Sequence, residues 1–294
     1  SSGYVSYIRG ENPYSFPFKI WPTKFSKKNS ILDIEYPSKQ MNGIEIDVGI
    51  EMLDVFTVKA GTYQEKAYNH VIDKLKNSVD DDHELSMGYQ VLEKPIQMLN
   101  IVFPNQIFDD GGDFSDRALY GKNGLEKMMN MDNLKNFSYK KNVQEKYGDI
   151  FSAKEIGKYS GKIKSICDSI KKAKGVVMIY SQYISGGCVP IALALEEMGL
   201  HRYGGGRLFK KKREGAMRGT YVMITGDNRI SPNNAKEVIA ATSEDNVNGE
   251  RVKVIIISRA GSEGLDFKNI RQIHILEPWY NTNRLEQIIG RAVR

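Results

Sequence analysis

The chain has 294 residues, enough for about two domains of ordinary size, and its composition (40% hydrophobic, 27% charged) allows a sizeable buried core. The net charge of +6 permits a polyanionic partner. Two cysteines exclude a disulfide framework and favour a reducing compartment, and the longest apolar runs, 176–180 and 254–257, are far too short to span a membrane.

The first 43 residues are dense in aromatic residues and proline. This composition predicts an extended or irregular segment over 1–43, which we interpret as a hydrophobic strap rather than a binding site. Apolar alternation over 44–58 predicts short strands. We therefore separate 1–43 from a mixed region, 44–159, and from a regular region, 160–294.

The mixed region carries two predicted helices and an insertion. Residues 64–75 have apolar side chains at helical spacing, and 89–103 predict a second helix that is interrupted at Pro95. Residues 105–155 are polar and irregular in pattern, and we expect a mainly helical insertion there.

Strands and helices alternate from residue 160 onward. The predicted helices are 162–172, 191–198, 232–242 and 281–294, and the predicted strands are 176–180, 221–225, 252–258 and 270–277. Strands that are apolar throughout and joined by helices predict an α/β fold with an open parallel sheet covered on both faces. Ligands of such sheets bind beyond the carboxyl ends of the strands, so the loops that follow the strands are the candidate sites.

The loop over residues 258–267, SRAGSEGLDF, follows a buried strand. Its glycines and small serines allow a ligand to approach the backbone closely, and exposed amides favour an anion. Glu263 and Asp266 lie in the same loop and could accept hydrogen bonds from a ribose or hold a basic group. Taken alone, the loop is equally compatible with a glycine-rich turn into the next strand.

The predicted last helix contains the sequence RLEQIIGRAVR over 284–294. Gln287, Arg291 and Arg294 are spaced four and three residues apart and therefore share one face. Gly290 costs about 1 kcal/mol of helix stability relative to alanine, which suggests that the backbone is approached there. Two arginines on one face suit a phosphate whose charge rises during transfer, although a solvated basic face is the simpler alternative.

Together, the two segments resemble motifs V and VI of superfamily 2 helicases and translocases: SRAGSEGLDF resembles motif V and QIIGRAVR resembles motif VI. The run SGKIKSICDSIKKAKGVVMIYSQY over 160–183 resembles the approach to motif IV. The run LDVFTVKAGTYQEKAYNHVIDKL over 53–75 resembles the start of the second lobe in chromatin-remodeller-like members. The resemblance implies a RecA-like second lobe that begins within 44–159 and carries motifs IV, V and VI in 160–294.

The N-terminal string YVSYIRGENPYSFP resembles the helicase-like ATPases of large cytoplasmic DNA viruses, namely the small subunit of the early transcription factor and nucleoside triphosphatase I. No phosphate loop of the form G-x-x-x-x-G-K-[ST] occurs, and Gly204–Gly206 with the following lysines has the wrong spacing. Arg294 also falls inside a predicted helix. We therefore expect the first lobe to be absent and this chain to be inactive alone.

The resemblance implies roles for individual residues at the nucleotide. Asp266 would contact the ATP ribose, and Gly264 would let the nucleotide approach. Arg291 and Arg294 would reach the γ-phosphate bound by the other lobe, with Gln287 beside them. ATP and Mg²⁺ would be held mainly by the absent lobe, and no metal ligands are predicted in this chain.

The resemblance also implies contacts to nucleic acid, mostly through phosphates, which position a strand without reading its sequence. The residues expected near the backbone are Ser181, Gln182, Tyr183, Thr225, Gly226, Ser258, Gly261 and Ser262. The run RLFKKKR over 207–213, with five cations in seven residues, could touch a phosphate backbone or form a flexible solvated loop. Trp279 and Tyr280 could stack on a base, although core packing is the simpler expectation.

These expectations combine into the second lobe of an ATP-dependent helicase or translocase, a nucleic-acid-dependent NTP hydrolase acting in viral transcription. The expected partners are DNA in preference to RNA and subunits of a viral RNA polymerase or transcription factor, without a membrane. The expected location is the cytoplasmic viral factory, with packaging in the virion as a further option. The alternative is a RecA-like fold kept as a non-catalytic binding or assembly module.

Overall fold

A computed structural model describes residues 18–39, 43–47, 53–77, 89–232, 234–259, 265, 267–277 and 282–293. The N-terminal part contains short helical turns where the sequence predicts irregular chain: α1 is Pro22–Phe25 and α2 is Ile31–Ile34, with a 3₁₀ turn between them. Pro22 occupies the first helical turn, where the missing N–H has no partner to lose. Phe18 and Phe25 remain largely exposed, at 82% and 61%, so this stretch of the strap is not packed into the core.

Of the predicted strands over 44–58, residues 48–52 lie outside the described residues, and the described residues 44–47 and 53–58 form no regular strand. Backbone pairing is limited to isolated antiparallel bridges from Ser30 to Phe56 and from Lys39 to Glu45. The Phe56 ring stacks on Phe25 with a centroid separation of 6.0 Å. The described part of this stretch is therefore held by single bridges and an aromatic contact, not by a strand ladder.

The two predicted helices of the mixed region are confirmed as α3, Thr62–Asn77, and α4, Tyr89–Asn100. Pro95 lies inside α4 without ending it. The Gln64 side chain joins these helices to the following domain: Nε2 donates to the Met98 carbonyl at 2.9 Å, and Oε1 accepts from the Gly161 amide at 3.1 Å.

The insertion is mainly helical, as predicted, but it contains one β-hairpin. Its helices are α5, Gln106–Asp109, α6, Gly121–Met128, α7, Lys141–Tyr147, and α8, Ile156–Tyr159, and its strands are β1, Met129–Met131, and β2, Phe137–Tyr139. The hairpin is antiparallel, with Met129 opposite Tyr139. Phe137, Tyr139 and Phe151 are buried in the same core as the main sheet, so the insertion packs as part of the domain.

The C-terminal region forms a five-stranded parallel sheet with helices on both faces, which confirms the predicted RecA-like α/β fold. Its helices are α9, Gly161–Lys172, α10, Val189–Glu197, α11, Asn234–Thr242, and α12, Thr282–Gly290. Its strands are β3, Val176–Tyr180, β4, His201–Arg202, β5, Thr220–Ile224, β6, Val254–Ile257, and β7, Ile270–Ile275, in the order β4-β5-β6-β3-β7.

The sheet is buried on both faces because its central strands are apolar at every position. Val177 and Ile179 of β3 join the core formed with α9, α10 and the insertion. Met178 and Tyr180 point to the opposite face and pack with residues of α11 and α12. Ser160 caps α9 by accepting from the Ile163 amide at 2.9 Å. The cysteines, Cys167 and Cys188, are buried free thiols of the core.

Candidate nucleotide and nucleic-acid site

Three predicted site residues follow adjacent strands at the carboxyl edge of the sheet. Ser181, Ser258 and Thr225 come directly after β3, β6 and β5, whose last residues lie in register. All three side chains are buried. The Thr225 hydroxyl donates to Ser231 Oγ at 3.0 Å, and Ser231 Oγ donates to the Met223 carbonyl at 2.5 Å. These hydroxyls therefore shape the loops, and a ligand at this edge meets the residues that follow them.

Gly226 is exposed in the loop after β5, as are Asn228 and Arg229. Beyond it, Asp227 holds Arg229 in a bidentate ion pair, with 2.9 Å from Nε to Oδ1 and 2.7 Å from Nη2 to Oδ2. The neighbouring guanidinium keeps the pKa of the Asp227 carboxyl below its usual value. The loop thus has an exposed backbone at Gly226 and a positively charged side chain, Arg229, that the ion pair holds in place.

The loop after β3 is held by one buried carboxylate. Glu277, 2% exposed, accepts from Ser181 Oγ at 2.6 Å and from the Gln182 amide at 3.0 Å. Its Oε1 also accepts from the Asn100 side-chain amide. Gln182 and Tyr183 are half-buried at the start of a π-helical turn over Ile184–Cys188. Glu277 therefore fixes the position of the motif IV-like residues.

Lys162 extends this network to the end of α4. Its Nζ donates to the Leu276 carbonyl at 2.6 Å and to Asn100 Oδ1 at 3.2 Å. Asn100 ends α4, and its carbonyl accepts from Ser160 Oγ at 2.5 Å. Burial lowers the pKa of Lys162 to about 8 and raises the pKa of Glu277. Sequence reasoning noted Glu277 only as the end of a strand and did not identify Lys162 or Asn100.

The lowered pKa of Lys162 predicts a pH-dependent stability. The unfolded chain binds a proton at Lys162 up to its ordinary value of 10.5, whereas the folded protein releases it near pH 8. The cost of burying the charge is thus present below about pH 8 and is relieved as pH rises toward 10.5. Relative to Lys162→Met, we expect wild type to gain stability between pH 7.5 and 9.5, by at most about 1.4 kcal/mol per pH unit. Urea unfolding of both proteins checks this, and parallel pH curves would contradict it.

The end of α12 contacts the motif V-like loop. The Phe267 amide donates to the Arg291 carbonyl at 3.0 Å, and Arg291 Nη1 donates to the Leu265 carbonyl at 3.3 Å. Arg291 is therefore hydrogen-bonded to the residues immediately before and after position 266. The remaining predicted residues of this site, which are Gly261, Ser262, Glu263, Gly264, Asp266 and Arg294, lie outside the described residues, as do Trp279 and Tyr280.

The predicted last helix ends earlier than expected, at Gly290, and is followed by a turn. The Arg291 amide still donates to the Gln287 carbonyl at 3.3 Å, so these two residues keep their one-turn spacing. Gln287 is exposed, whereas Leu285 and Ile288 are buried against the sheet. No described atom lies within 4 Å of where a Cβ on Gly290 would stand. The close approach to the helix backbone that Gly290 suggested is therefore not made by any described residue of this chain.

The basic run over 207–213 is anchored, which contradicts the flexible-loop alternative. Leu208 and Phe209 are buried, and their amides donate to the Glu196 carboxylate at 2.6 and 2.8 Å. Arg213 pairs with Glu197 at 2.9 Å, and its guanidinium lies 5.2 Å from the centre of the Phe209 ring. Only part of the positive charge of the run is therefore available to a ligand.

Residues 161–294 match the family described as helicase conserved C-terminal domain. A protein of Acanthamoeba polyphaga mimivirus, named "Putative ATP-dependent RNA helicase", is 28% identical over 99% of this chain and 39% of its own length. A Kluyveromyces lactis protein named as a killer plasmid helicase is 23% identical over 85% of this chain and 44% of its own length. African swine fever virus proteins named "Termination factor NPH-I homolog" are 30% identical over 46% of this chain and 23% of their length.

These matches agree with the sequence resemblance. Residues 161–294 resemble the C-terminal domain of superfamily 2 helicases, and the chain resembles helicases of large DNA viruses. The chain spans about two-fifths of the length of the first two of these relatives. Among the residues described, no helix is long and apolar enough to cross a membrane, and no group of three or more metal-binding side chains occurs.

Proposed function

We propose that this chain supplies the second lobe of an ATP-dependent nucleic-acid translocase or helicase, in which Arg291 and Arg294 complete an ATP site formed with another lobe. The contact of Arg291 with Leu265 and Phe267 carries this proposal. It joins the motif V-like loop, expected at the ribose through Asp266 and Gly264, to the helix expected at the γ-phosphate. Glu263 would assist in the same loop.

The residues of α12 suit an incoming phosphate. Gln287 is exposed one turn before Arg291, and the open space over Gly290 leaves the backbone accessible from outside the chain. The Arg291 guanidinium donates to a carbonyl through one nitrogen, Nη1, which leaves further N–H donors for a phosphate. Charge that develops on the γ-phosphate during transfer to water would be stabilised by these donors.

ATP would be the substrate, and Mg²⁺, which neutralises phosphate charge in such reactions, would have its ligands outside the described residues. The carboxyl-edge loops would contact the nucleic-acid backbone. Among the described residues, Gly226, Gln182 and Tyr183 would make these contacts, with Gly261 and Ser262 expected beside them. Ser181, Thr225 and Ser258 would set the loop shapes. Closure of the two lobes would bring the arginines to the phosphate and move the bound strand.

The name of the African swine fever virus relatives, a termination factor homolog, supports a role in viral transcription. We propose that the protein acts in the cytoplasm of infected cells, alongside polymerase or transcription-factor subunits. We propose DNA as the preferred nucleic acid. Because one relative is named as an RNA helicase, RNA is the comparison that the assay must include.

The full-length protein should hydrolyse ATP, and DNA should raise the turnover severalfold. The measurement is phosphate release with single-stranded DNA, duplex DNA, RNA or no nucleic acid. A non-catalytic assembly module would bind its partners without hydrolysis in any of these conditions. Stimulation by RNA alone would overturn the DNA preference and leave the ATPase proposal intact.

A further inference from the structure

The exposed edge of the sheet, beside β4, carries a trough that none of the motif residues explains. One cavity of about 360 Å³ is lined by Lys135, Arg207, Arg229 and Lys236, among others. A second cavity of about 240 Å³ shares Gly206 and Arg207 with the first and adds Gly205, His201 and Lys212. The two cavities form one elongated basic surface, which we call the β4 trough.

The hairpin of the insertion builds one wall of the trough. The Phe137 amide donates to the Leu208 carbonyl at 2.6 Å, and the Phe137 carbonyl accepts from the Lys210 amide at 2.8 Å. This pairing brings the hairpin turn that carries Lys135 beside Arg207. The turn is itself fixed, because Asp132 Oδ1 accepts from the amides of residues 134 and 136 at 3.0 and 2.9 Å.

The positive charge of the trough is only partly neutralised. On its floor, Arg202 and Glu237 form a buried ion pair, with 2.5 Å from Nε to Oε1. Arg229 is paired with Asp227. By contrast, Lys135, Arg207 and Lys236 form no ion pair with any described residue. Lys135 lies near enough to Asp227 to help lower its pKa, but Asp227 is already paired with Arg229. The cations at this cavity therefore outnumber the carboxylates that pair with them, and a polyanion would relieve their repulsion.

The shape and the other lining groups favour a nucleic-acid strand over a single nucleotide. The trough continues from the Gly226 loop, since Arg229 belongs to both. It runs through two adjoining cavities that share Gly206 and Arg207, so its basic groups are spread over more than one pocket. Gly204 and Gly205 have nothing described within 4 Å of a Cβ position, so a backbone can approach closely. Tyr203, half-buried in the lining, offers a ring on which a base could stack.

We propose that the β4 trough binds the phosphate backbone of the nucleic acid after it leaves the carboxyl-edge loops, and that the insertion exists in part to build it. This inference rests on the proposed function, because it extends the same nucleic-acid path. Lys135, Arg207 and Lys236 each neutralise a phosphate. The contacts position the strand and carry no sequence preference.

The test compares two triple variants of the full-length protein with equal charge change. K135E/R207E/K236E alters the trough, and K127E/K154E/K172E alters exposed lysines that line neither cavity. Binding of a fluorescein-labelled 40-nucleotide DNA strand is measured by anisotropy across a salt series. The trough variant should lose at least about tenfold in affinity near 100 mM salt, and its slope of log K against log salt should fall by roughly 2. The control should keep the wild-type slope.

The outcomes separate the two proposals. A wild-type protein that binds no nucleic acid would sink the proposed function, whereas equal affinity and slope for both triple variants would sink the trough alone. The neutral variant K135Q/R207Q/K236Q, with its fold checked by circular dichroism, should show the same slope change, so a misfolded charge-reversal protein cannot decide the result. In the contrary outcome, poly-glutamate or pyrophosphate binds wild type and loses affinity in the trough variant, while the DNA affinity of the two proteins stays equal. That result would overturn the assignment of the trough to nucleic acid.

Discussion

Replacing Arg291 or Arg294 with alanine in the full-length protein should lower ATPase turnover about a thousandfold, while nucleotide binding stays within a few-fold of wild type. An arginine that meets the γ-phosphate only in the transition state stabilises the developing charge and contributes little to ground-state affinity. Turnover is measured at saturating ATP and nucleic acid, and affinity is measured with a fluorescent nucleotide. Wild-type turnover in both variants would contradict the assignment.

The contact of Arg291 with the Leu265 carbonyl requires a control for loop structure. Arg291→Lys keeps the positive charge but loses the planar fork, so it should recover only part of the lost turnover. Glu286→Ala, an exposed change on the same helix, should leave turnover unchanged. If Arg291→Ala also weakens nucleotide binding tenfold or more, the side chain acts chiefly by holding the loop. Arg294 alone would then be the arginine that contacts the γ-phosphate.

Apolar pattern predicted four of the five strands of the sheet and missed β4, His201–Arg202, which has only two residues and no apolar run. β3 and β6 are buried at every position, so an unbroken apolar run marks them in the sequence. The end of α12 was predicted four residues too late because Gln287, Arg291 and Arg294 continue the helical spacing. In the structure, the Arg291 carbonyl instead accepts a hydrogen bond from the Phe267 amide. These two residues are 24 positions apart, so local helical spacing does not reveal the contact.

The polar network at Glu277 could not be predicted from the sequence. Asn100 and Glu277 are 177 positions apart, and neither residue stands in a distinctive pattern. By contrast, the sequence of the basic run over 207–213 did contain a signal that could have predicted its anchoring. Leu208 and Phe209 interrupt the cations, and two adjacent apolar residues in a charged loop indicate an anchor into the core.

Glu277→Ala should destabilise the folded protein by about 3 to 5 kcal/mol, because it leaves buried polar groups without a partner. Ser181 Oγ, the Gln182 amide and the Asn100 side chain lose their shared acceptor, and the half-buried ammonium of Lys162 loses the nearest opposite charge. Urea unfolding measures the loss. Glu65→Ala, at an exposed position of α3, should unfold like wild type.

The same substitution should also weaken the response to nucleic acid, because Glu277 holds the loop that presents Gln182 and Tyr183. The concentration of DNA that gives half-maximal ATPase stimulation should rise at least about fivefold, while turnover at saturating DNA falls less. Glu277→Gln keeps one acceptor oxygen and the side-chain shape, so both effects should be intermediate. A destabilised Glu277→Ala protein with an unchanged DNA requirement would mean that the network supports the fold without positioning the loop.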